Sequence, residues 1–208
     1  MEATSGRVLG VAVRADLTVT FGMAKVGQAI WPGLAHVGDL VVADISIPRR
    51  LLEEVDTPYE LLEREGLPAL PPRRPWAHKG NFGHLLVVAG SPGKTGAAAL
   101  CAQAAVRSGA GLVTLAVAAS LNPILEVKLT EAMTEPVPDE EGFLGPASLE
   151  AILRAAEGKT ALALGPGISA REGTVRLVGD LLRRVRLPMV IDADGLNCLA
   201  RLPEGPRG

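Results

Sequence analysis

Cysteine, aromatic residues and net charge are all scarce in this sequence. The 208 residues include 2 cysteines, and 3% of them are aromatic. Cys101 and Cys198 lie far apart and belong to no CxxC motif or Cys/His cluster, so we expect inert, buried thiols in a reducing compartment. The scarcity of aromatic rings argues against base stacking as a binding mode and leaves a core of Ala, Val, Leu and Gly.

The charge pattern of the sequence predicts no binding surface for a polyanionic partner. The formal net charge is −2 and the two signs are interspersed, so we expect no binding to nucleic acid or to an anionic membrane. The first residues have no basic stretch followed by an apolar one, and the apolar segment 97–119 carries Gln103, Arg107 and Ser108. We therefore expect a cytoplasmic protein without a secretion signal or a membrane span.

Composition divides the chain into three regions. Residues 1–55 contain two β-like runs, at 15–22 and 38–48, which are too little to close a core alone. Residues 56–76 are predicted to be a linker, because prolines favour an extended connector over a helix. The prolines in question are Pro68, Pro71, Pro72 and Pro75. Residues 77–208 form the predicted main domain.

Strands and helices alternate through this main domain. The pattern predicts strands at 83–90, 111–117, 160–167 and 187–195, and helices at 96–109, 146–158 and 171–185. The stretch between them that is rich in acids and prolines is predicted to be a loop. Such alternation is typical of an α/β fold with a parallel sheet covered on both faces, which binds ligands at the carboxyl ends of its strands. The sheet is expected to be incomplete, because the chain stops soon after a strand.

The segment GSPGKTGA, residues 90–97, looks like the end of a phosphate-binding loop. A P-loop has the pattern G-x-x-x-x-G-K, and Val88 occupies the position of its first glycine, so the wrap is too short. Two interpretations stay open. Free N–H groups at the start of the next helix bind a phosphate or a polar ligand, or Gly90, Gly93 and Gly96 only permit a tight turn.

Two further turns end strands at the same predicted edge. Gly165 and Gly167 flank a proline, and glycine turns at two adjacent strand ends favour a cleft more than one turn does. Asp192 and Asp194 are one residue apart, so on an extended strand both carboxylates point to one face. With Asn197 they are candidates for holding Mg²⁺ or for hydrogen bonding to neighbouring loops. No Ser/His/Asp or Cys/His constellation can be assembled from the sequence.

Three segments, in this order and spacing, resemble the ADP/ATP-dependent NAD(P)H-hydrate dehydratase family, whose fold is ribokinase-like. They are HKGNFGHLLVVAGSPGKTGAAALCAQAAVRSGAGLVTLAV, LGPGIS and VIDADGLN. A fourth, VRADLTVTFGMAKVGQAIWPGLAHVGDLVVADISIP, resembles the end of the Rossmann-like NAD(P)H-hydrate epimerase domain, which many bacteria fuse ahead of the dehydratase. The resemblance implies an epimerase remnant at 1–55, a linker at 56–76 and the first part of a dehydratase domain at 77–208.

The chemistry that the resemblance implies is metabolite repair. Hydrated NADH or NADPH, NAD(P)HX, is epimerised by the first domain, and the second uses ADP or ATP with Mg²⁺ to drive the loss of water. By analogy with kinases, the hydroxyl is phosphorylated and the phosphate is then eliminated. K⁺ is expected for a complete epimerase domain, and a homo-oligomer is a possible assembly.

The resemblance also implies site residues, position by position. The implied substrate-binding residues are Ala97, Gly167, Gly96 and Gly165. Ala97 matches an alanine that lies against the substrate, and Gly167 falls in a substrate-contacting Gly-Pro-Gly turn. Ser169 stands where the family often has another glycine. The catalytic aspartate and the nucleotide loop are expected beyond Gly208, so we expect this chain alone to have neither activity.

Two other functions stay open from the residues alone. A sugar or vitamin-precursor kinase of the same fold would share the glycine turns and release a stable phosphomonoester. A non-catalytic nucleotide-binding or assembly module would bind nucleotide without turnover.

Overall fold

The computed structural model describes residues 1–67 and 72–203, in two compact units. These units are Met1–Pro72 and Arg73–Gly208. Pro68 and Pro71, on which the linker prediction partly depends, lie outside the described residues.

The first unit is built on two parallel strands. Strand β1 spans Leu17–Phe21 and β2 spans Asp39–Ala43, so both predicted strands are confirmed, and Val19 lies opposite Val41. Around them lie two short α-helices and two 3₁₀ turns. The helices are α1 (Val26–Ala29) and α2 (Arg49–Glu53), and the turns span Gly33–His36 and Arg64–Gly66.

Little apolar surface is buried within the first unit. Val37 is fully buried, whereas Leu17, Val19 and Phe21, which share one face of β1, are each at least half exposed. Parallel strands normally have both faces covered. The first unit therefore has almost no hydrophobic core of its own among the residues that are described.

The second unit is a five-stranded parallel sheet with the strand order β5-β4-β3-β6-β7. Its strands are β3 (His84–Val88), β4 (Leu112–Ala118), β5 (Met133–Val137), β6 (Ala161–Leu164) and β7 (Met189–Ile191). Continuous apolar runs form β3 and β4 because these central strands are buried on both faces.

Five α-helices and three 3₁₀ turns complete the second unit. The helices are α3 (Thr95–Arg107), α4 (Asn122–Lys128), α5 (Leu149–Ala156), α6 (Glu172–Arg184) and α7 (Asp194–Leu199). The turns span Lys79–Phe82, Ala119–Leu121 and Pro146–Ser148. None of the helices in the described parts of the chain is long and apolar enough to cross a membrane.

Two hydrophobic clusters lie on opposite faces of the sheet. On one face, Ala98 and Ala102 of α3 pack with Val87 and Leu115, and the small side chains bring the helix close to the sheet. The other cluster joins Leu86 and Leu162 to residues of α5 and α6, which are Ile152, Leu177 and Leu181. The predicted parallel sheet with helices on both faces is confirmed.

The stretch predicted to be a loop between β4 and α5 instead contains α4 and the edge strand β5. The prolines of this stretch favoured a loop in the prediction, but they lie at positions that a helix and an edge strand accept. Pro123 lies in the first turn of α4, where its missing N–H has no helical partner to lose. Pro136 lies in β5, at the edge of the sheet, where a proline is tolerated.

The strand order places a switch point between β3 and β6. From β3 the chain moves through β4 to β5 on one side, and it then returns to add β6 and β7 on the other side. In open α/β sheets the crevice at such a switch point, outside the carboxyl ends of the strands, is where ligands bind. Here we expect that crevice between the ends of β3 and β6.

Candidate functional site

Two loops flank the switch point and are bonded to each other. Residues 89–94 follow β3, and residues 165–169 follow β6. The N–H of Gly90 donates to the carbonyl of Pro166 at 2.9 Å, and the N–H of Gly165 donates to the carbonyl of Val88 at 3.0 Å. The two predicted glycine turns therefore meet, as neighbouring carboxyl ends require.

The first glycine turn is open towards solvent. Gly90 and Gly93 have φ angles of 89° and 77°, in the left-handed region that favours glycine. A Cβ added at Gly93 or Gly96 would meet no atom within 4 Å. The first turn of α3 carries no acidic residue. The turn thus leaves space above the start of α3 without the wrap of a P-loop.

Ala97 and Gly167 form the contact between the two turns. A Cβ built on Gly167 would lie 3.0 Å from the Cβ of Ala97 and 3.0 Å from that of Lys94. Gly167 is buried, whereas Ala97 is partly exposed and Gly96 is exposed. The small side chain of Ala97 thus packs on the second turn and stays partly exposed, so its position is compatible with both the packing and the cleft interpretations.

Gly165 has a packing reason to be glycine. It is buried with a φ of 126°, and a Cβ there would overlap the carbonyl oxygen of Asp192 in the loop after β7. The close approach of these backbones needs a residue without a side chain. Gly165 therefore lets the loop after β7 approach the second turn, while Gly167 packs against Ala97.

A carboxylate from the loop after β7 bridges the two turns. Oδ2 of Asp194 accepts hydrogen bonds from Nζ of Lys94 at 2.7 Å and from the backbone N–H of Ser169 at 3.0 Å. Oδ1 accepts from Nδ2 of Asn197 at 3.2 Å. Asp194 and Asn197 thus hydrogen-bond within and between loops, as one of the two sequence interpretations expected.

The surroundings of Asp194 stabilise its ionised form. The hydrogen bond from Lys94 lowers the pKa of the Asp194 carboxyl most, partial burial opposes this, and the bonds from Asn197 and Ser169 lower the pKa further. The carboxylate is mostly shielded, with 18% of its side chain exposed, whereas 49% of the Lys94 side chain is exposed. A charged acceptor that is partly shielded makes stronger hydrogen bonds than one in water.

The prediction that Asp192 and Asp194 share one face of a strand is wrong. Strand β7 ends at Ile191, Ala193 has φ 52° and ψ −119°, and α7 begins at Asp194. The chain therefore turns between the two carboxylates, and alternation along a strand does not apply. Within 1–67 and 72–203, no three His, Cys, Asp or Glu side chains cluster as metal ligands.

Ser169 is held at both of its backbone groups by α7. Its φ of 72° is left-handed, its N–H donates to Asp194, and its carbonyl accepts from the thiol of Cys198 at 3.5 Å. Burial, and then the charge of Asp194, raise the pKa of the Cys198 thiol to about 11, so it stays a protonated donor. Glycine adopts such a left-handed φ without strain, which is a physical reason for the glycine that the resemblance led us to expect here.

Cys101 also has a raised thiol pKa. It is free and partly buried on α3. Burial, and then the charge of Asp192, raise its pKa. A raised pKa keeps a thiol protonated and weakly nucleophilic at neutral pH.

The loops after β4 and β5 are joined by another carboxylate. Asp139 accepts hydrogen bonds from the backbone N–H and the hydroxyl of Ser120, both at 3.0 Å, and from the N–H of Gly142 at 2.7 Å. Desolvation alone would raise the pKa of Asp139, but these hydrogen bonds outweigh it and lower the pKa. A Cβ on Gly142 would lie 2.7 Å from Pro92, so this loop borders the first glycine turn.

Sequence reasoning did not assign a role to Ser91, Lys94 or Asp139. The hydroxyl of Ser91, fully buried, donates to the carbonyl of Gly167 at 2.7 Å. Lys94 was considered only as a P-loop lysine, whose usual partner is a phosphate. Ser91 and Lys94 lie between Gly90 and Gly96, a pattern that indicates a turn, but their bonding partners are 76 and 100 residues away in sequence.

His84 lies at the other end of the sheet. It begins β3, and its Nε2 is 2.8 Å from the hydroxyl of Thr114 on β4. Desolvation, and then the charge of Lys159, lower the pKa of His84. This histidine therefore has no part in the crevice at the carboxyl ends of the strands.

The stretch that builds this crevice matches one family model, NAD(P)H-hydrate dehydratase, over residues 85–207. The chain belongs to the NAD(P)H-hydrate dehydratase family. The family stretch includes both glycine turns and the loop of Asp194. The family that the sequence resembles is thus confirmed, and this match favours a dehydratase over a kinase of the same fold.

Curated relatives of this chain are much longer proteins. The chain is 43% identical over 205 residues to a bifunctional NAD(P)H-hydrate repair enzyme of Thermofilum pendens. The alignment covers 98% of this chain and 38% of that protein. It is 44% identical over 202 residues to one of Moorella thermoacetica, covering 96% of this chain and 38% of that protein. The chain therefore spans little more than a third of the length of these relatives.

A solved structure supports the fold. A ribokinase-like superfamily protein of Enterococcus faecalis V583 superposes with a TM-score of 0.53 at 22% identity, covering 62% of this chain and 43% of that one. The ribokinase-like fold of this dehydratase-family chain is therefore confirmed, and this likeness bears on the fold alone.

Proposed function

We propose that this chain is part of a nicotinamide-nucleotide repair enzyme, a lyase that uses ADP or ATP to dehydrate NAD(P)HX to NAD(P)H. The observation that carries the proposal is the coincidence of two features. The dehydratase family match covers residues 85–207, and within it two glycine turns meet at the switch point of the sheet. A crevice there is where an α/β fold of this type holds a nucleotide-like ligand.

The substrate wall in this proposal consists of four small residues. They are Ala97, Gly167, Gly96 and Gly165. Gly96 and Ala97 border the crevice from the start of α3, with Gly96 exposed and open above its Cα. Gly167 lies behind Ala97, and Gly165 lets the loop after β7 approach. Without long side chains, this wall can lie flat against a ring of the substrate, in keeping with the mostly apolar lining of small-molecule sites.

The domain boundaries are also part of the proposal. Residues 1–55 are the end of an epimerase domain, 56–76 a linker and 77–208 the first part of the dehydratase domain. In support, the repair enzyme of Thermofilum pendens aligns with 98% of this chain, which includes the first unit. Epimerisation of the R and S forms of NAD(P)HX, with K⁺, belongs to the complete protein in this proposal.

Mg²⁺ is assigned no ligand in the chain. Asp194 already accepts three hydrogen bonds, and the described ranges hold no cluster of metal-ligating side chains. The described residues thus do not fit a magnesium site built by the protein. Mg²⁺ is commonly bound through nucleotide phosphates with few protein ligands, so we propose that it enters with the nucleotide.

Calorimetric titration of the 208-residue chain with NADPH hydrate tests this function. We expect binding, and we expect the variant Gly96→Ala to weaken it about tenfold, because its methyl group projects into the crevice and touches no protein atom within 4 Å. Ala104→Ser is the matched control on the exposed outer face of α3 and should bind like the parent.

The opposite results would count against the proposal. Absence of heat with NADPH hydrate, or equal affinity of Gly96→Ala and the parent, would exclude a substrate wall at this position. Product analysis separates the rival chemistry, because a kinase would accumulate a phosphomonoester. Turnover of NADPH hydrate by the chain alone, with ADP or ATP and Mg²⁺, would contradict our expectation that this chain lacks activity by itself.

A further inference from the structure

One carboxylate connects three loops at the proposed site. Asp194, the first residue of α7, bonds Lys94 of the first glycine turn and the backbone of Ser169 at the end of the second. Its third bond, from Asn197, lies within α7. Lys94 and Ser169 are 100 and 25 residues away in sequence, so these two bonds join separate parts of the chain.

The first glycine turn has few other attachments. Gly93 has no atom within 4 Å of an added Cβ, and Lys94, the residue before α3, makes no side-chain cap of that helix. Within the described residues, the polar bonds that join the turn to its neighbours are the Gly90 backbone bond, the Ser91 hydroxyl bond and the Lys94 ion pair. The ion pair is the member of this set that reaches past β6 to the loop after β7.

The second turn depends on the same carboxylate. Ser169 has a left-handed φ of 72°, which costs a residue with a side chain about 1 to 2 kcal/mol. Its N–H is satisfied by Asp194. Without that acceptor the strained conformation would have no charged partner, and the Ser91 hydroxyl and the Cys198 thiol would be left to hold the second turn beside Ala97.

We propose that Lys94 and Asp194 form a latch, made of these two residues and the N–H of Ser169, that positions the Ala97–Gly167 wall against the substrate. Both are positioning residues, since neither needs to touch the reacting atoms. The latch uses the carboxylate that the sequence pointed to as a metal ligand. Its effect on substrate rests on the proposed function, whereas its effect on the two turns does not.

Hydrogen exchange of the backbone amides, read by mass spectrometry on the 208-residue chain, tests the latch. In Asp194→Ala we expect segments 90–97 and 165–169 to exchange roughly tenfold faster, the effect of losing a hydrogen bond to a charged group. In Lys94→Met we expect faster exchange mainly at 90–97. Lys94→Arg keeps the cation and should restore the parent rates.

Two controls separate positioning from general stability. Strand β4 lies in the core and reports the stability of the whole sheet, so its exchange should rise by clearly less than that of the two turns in both variants. Glu150→Gln removes the carboxylate of an exposed ion pair between α5 and α6, with Arg184, and should leave 90–97 and 165–169 unchanged. A rise in β4 as large as that in the two turns, or parent rates in Asp194→Ala, would overturn the latch.

Titration with NADPH hydrate distinguishes failure of the latch from failure of the proposed function. If the parent binds and Lys94→Met binds at least severalfold more weakly while β4 stays protected, both ideas are supported. If the parent does not bind but the two segments exchange faster in Asp194→Ala, the latch stands and the proposed function fails. If the parent and Lys94→Met bind equally, the latch has no positioning role and is overturned.

Discussion

The hydroxyl of Ser91 donates a hydrogen bond of 2.7 Å to the carbonyl oxygen of Gly167, and it does so in the buried interior. The two residues are 76 positions apart. Together with the backbone bond between Gly90 and Pro166, this contact fixes the turn after β3 to the turn after β6. The crevice of the site is therefore held on its inner side by polar bonds as well as by apolar packing.

The first prediction concerns this bond. Ser91→Ala leaves the carbonyl of Gly167 without its buried donor, so we expect a loss of about 1 to 3 kcal/mol in the free energy of unfolding of the second unit. Urea denaturation followed by circular dichroism measures it. Ser108→Ala, which removes an exposed hydroxyl at the end of α3, should change stability far less. Equal midpoints for both variants would show that the buried bond contributes little.

The second prediction is an order among three glycine-to-alanine variants. Gly93→Ala meets only the backbone strain of its φ of 77°, about 1 kcal/mol or somewhat more. Gly167→Ala adds a close contact with Ala97, and Gly165→Ala adds overlap with the backbone of Asp192. We therefore expect stability to fall from Gly93→Ala to Gly167→Ala to Gly165→Ala in urea titrations. A larger loss at Gly93 than at Gly165 would contradict these contacts.

A third prediction is a stabilising change at Ala193. Its backbone angles, φ 52° and ψ −119°, lie where residues with a Cβ are strained by about 1 to 3 kcal/mol. Ala193→Gly relieves this strain, although glycine also loses more freedom on folding. We expect a net gain of about 1 kcal/mol, seen as a higher thermal midpoint. Ala200→Gly, at the end of α7 with an ordinary helical φ of −62°, should lower the midpoint instead.

The fourth prediction is a pH dependence. The folded-state pKa of Asp194 lies below its unfolded value because Lys94 and the other donors favour the carboxylate. Its contribution is therefore fully present above the ordinary carboxyl pKa of about 3.9, and is lost as the pH falls through the folded-state pKa. The difference in unfolding free energy between the parent and Asp194→Asn should shrink on acidification across that range.

That difference is measured by urea titration of both proteins at a series of pH values. A gap that stays constant or widens towards acid would contradict the sign of the pKa shift. Asp139, whose pKa is also lowered, titrates in both proteins and cancels in the comparison.

Hydrophobic pattern predicted the elements of the second unit wherever burial was two-sided. The runs that became β3 and β4 have apolar residues on both faces because both faces are covered. Edge elements escaped the same reasoning. Strand β5 has one buried residue, Val137, and contains Pro136, and α4 is only seven residues long, so neither shows a hydrophobic run that distinguishes it from a loop.

The glycines and Asp194 of the candidate site were singled out from the sequence, but the ion pair that Asp194 makes was not. Gly165 and Gly167 stand out because a turn of that shape restricts which residues fit it. Lys94 does not stand out as the partner of Asp194, since a lysine fits almost any exposed loop and its partner is set by the fold. Asp194 was placed on a strand because a period of two was extended past Ile191, where the chain had already turned.

The sequence by itself determined the parallel α/β fold, the glycine turns and the family, because these depend on local pattern and on which residues a tight turn accepts. Tertiary structure alone decided that β6 returns beside β3, and that the two turns therefore share one crevice. It also decided that Asp194 bonds Lys94, 100 residues earlier. The physical reason is that strand order and ion-pair partners follow from three-dimensional packing, which no short window of residues contains.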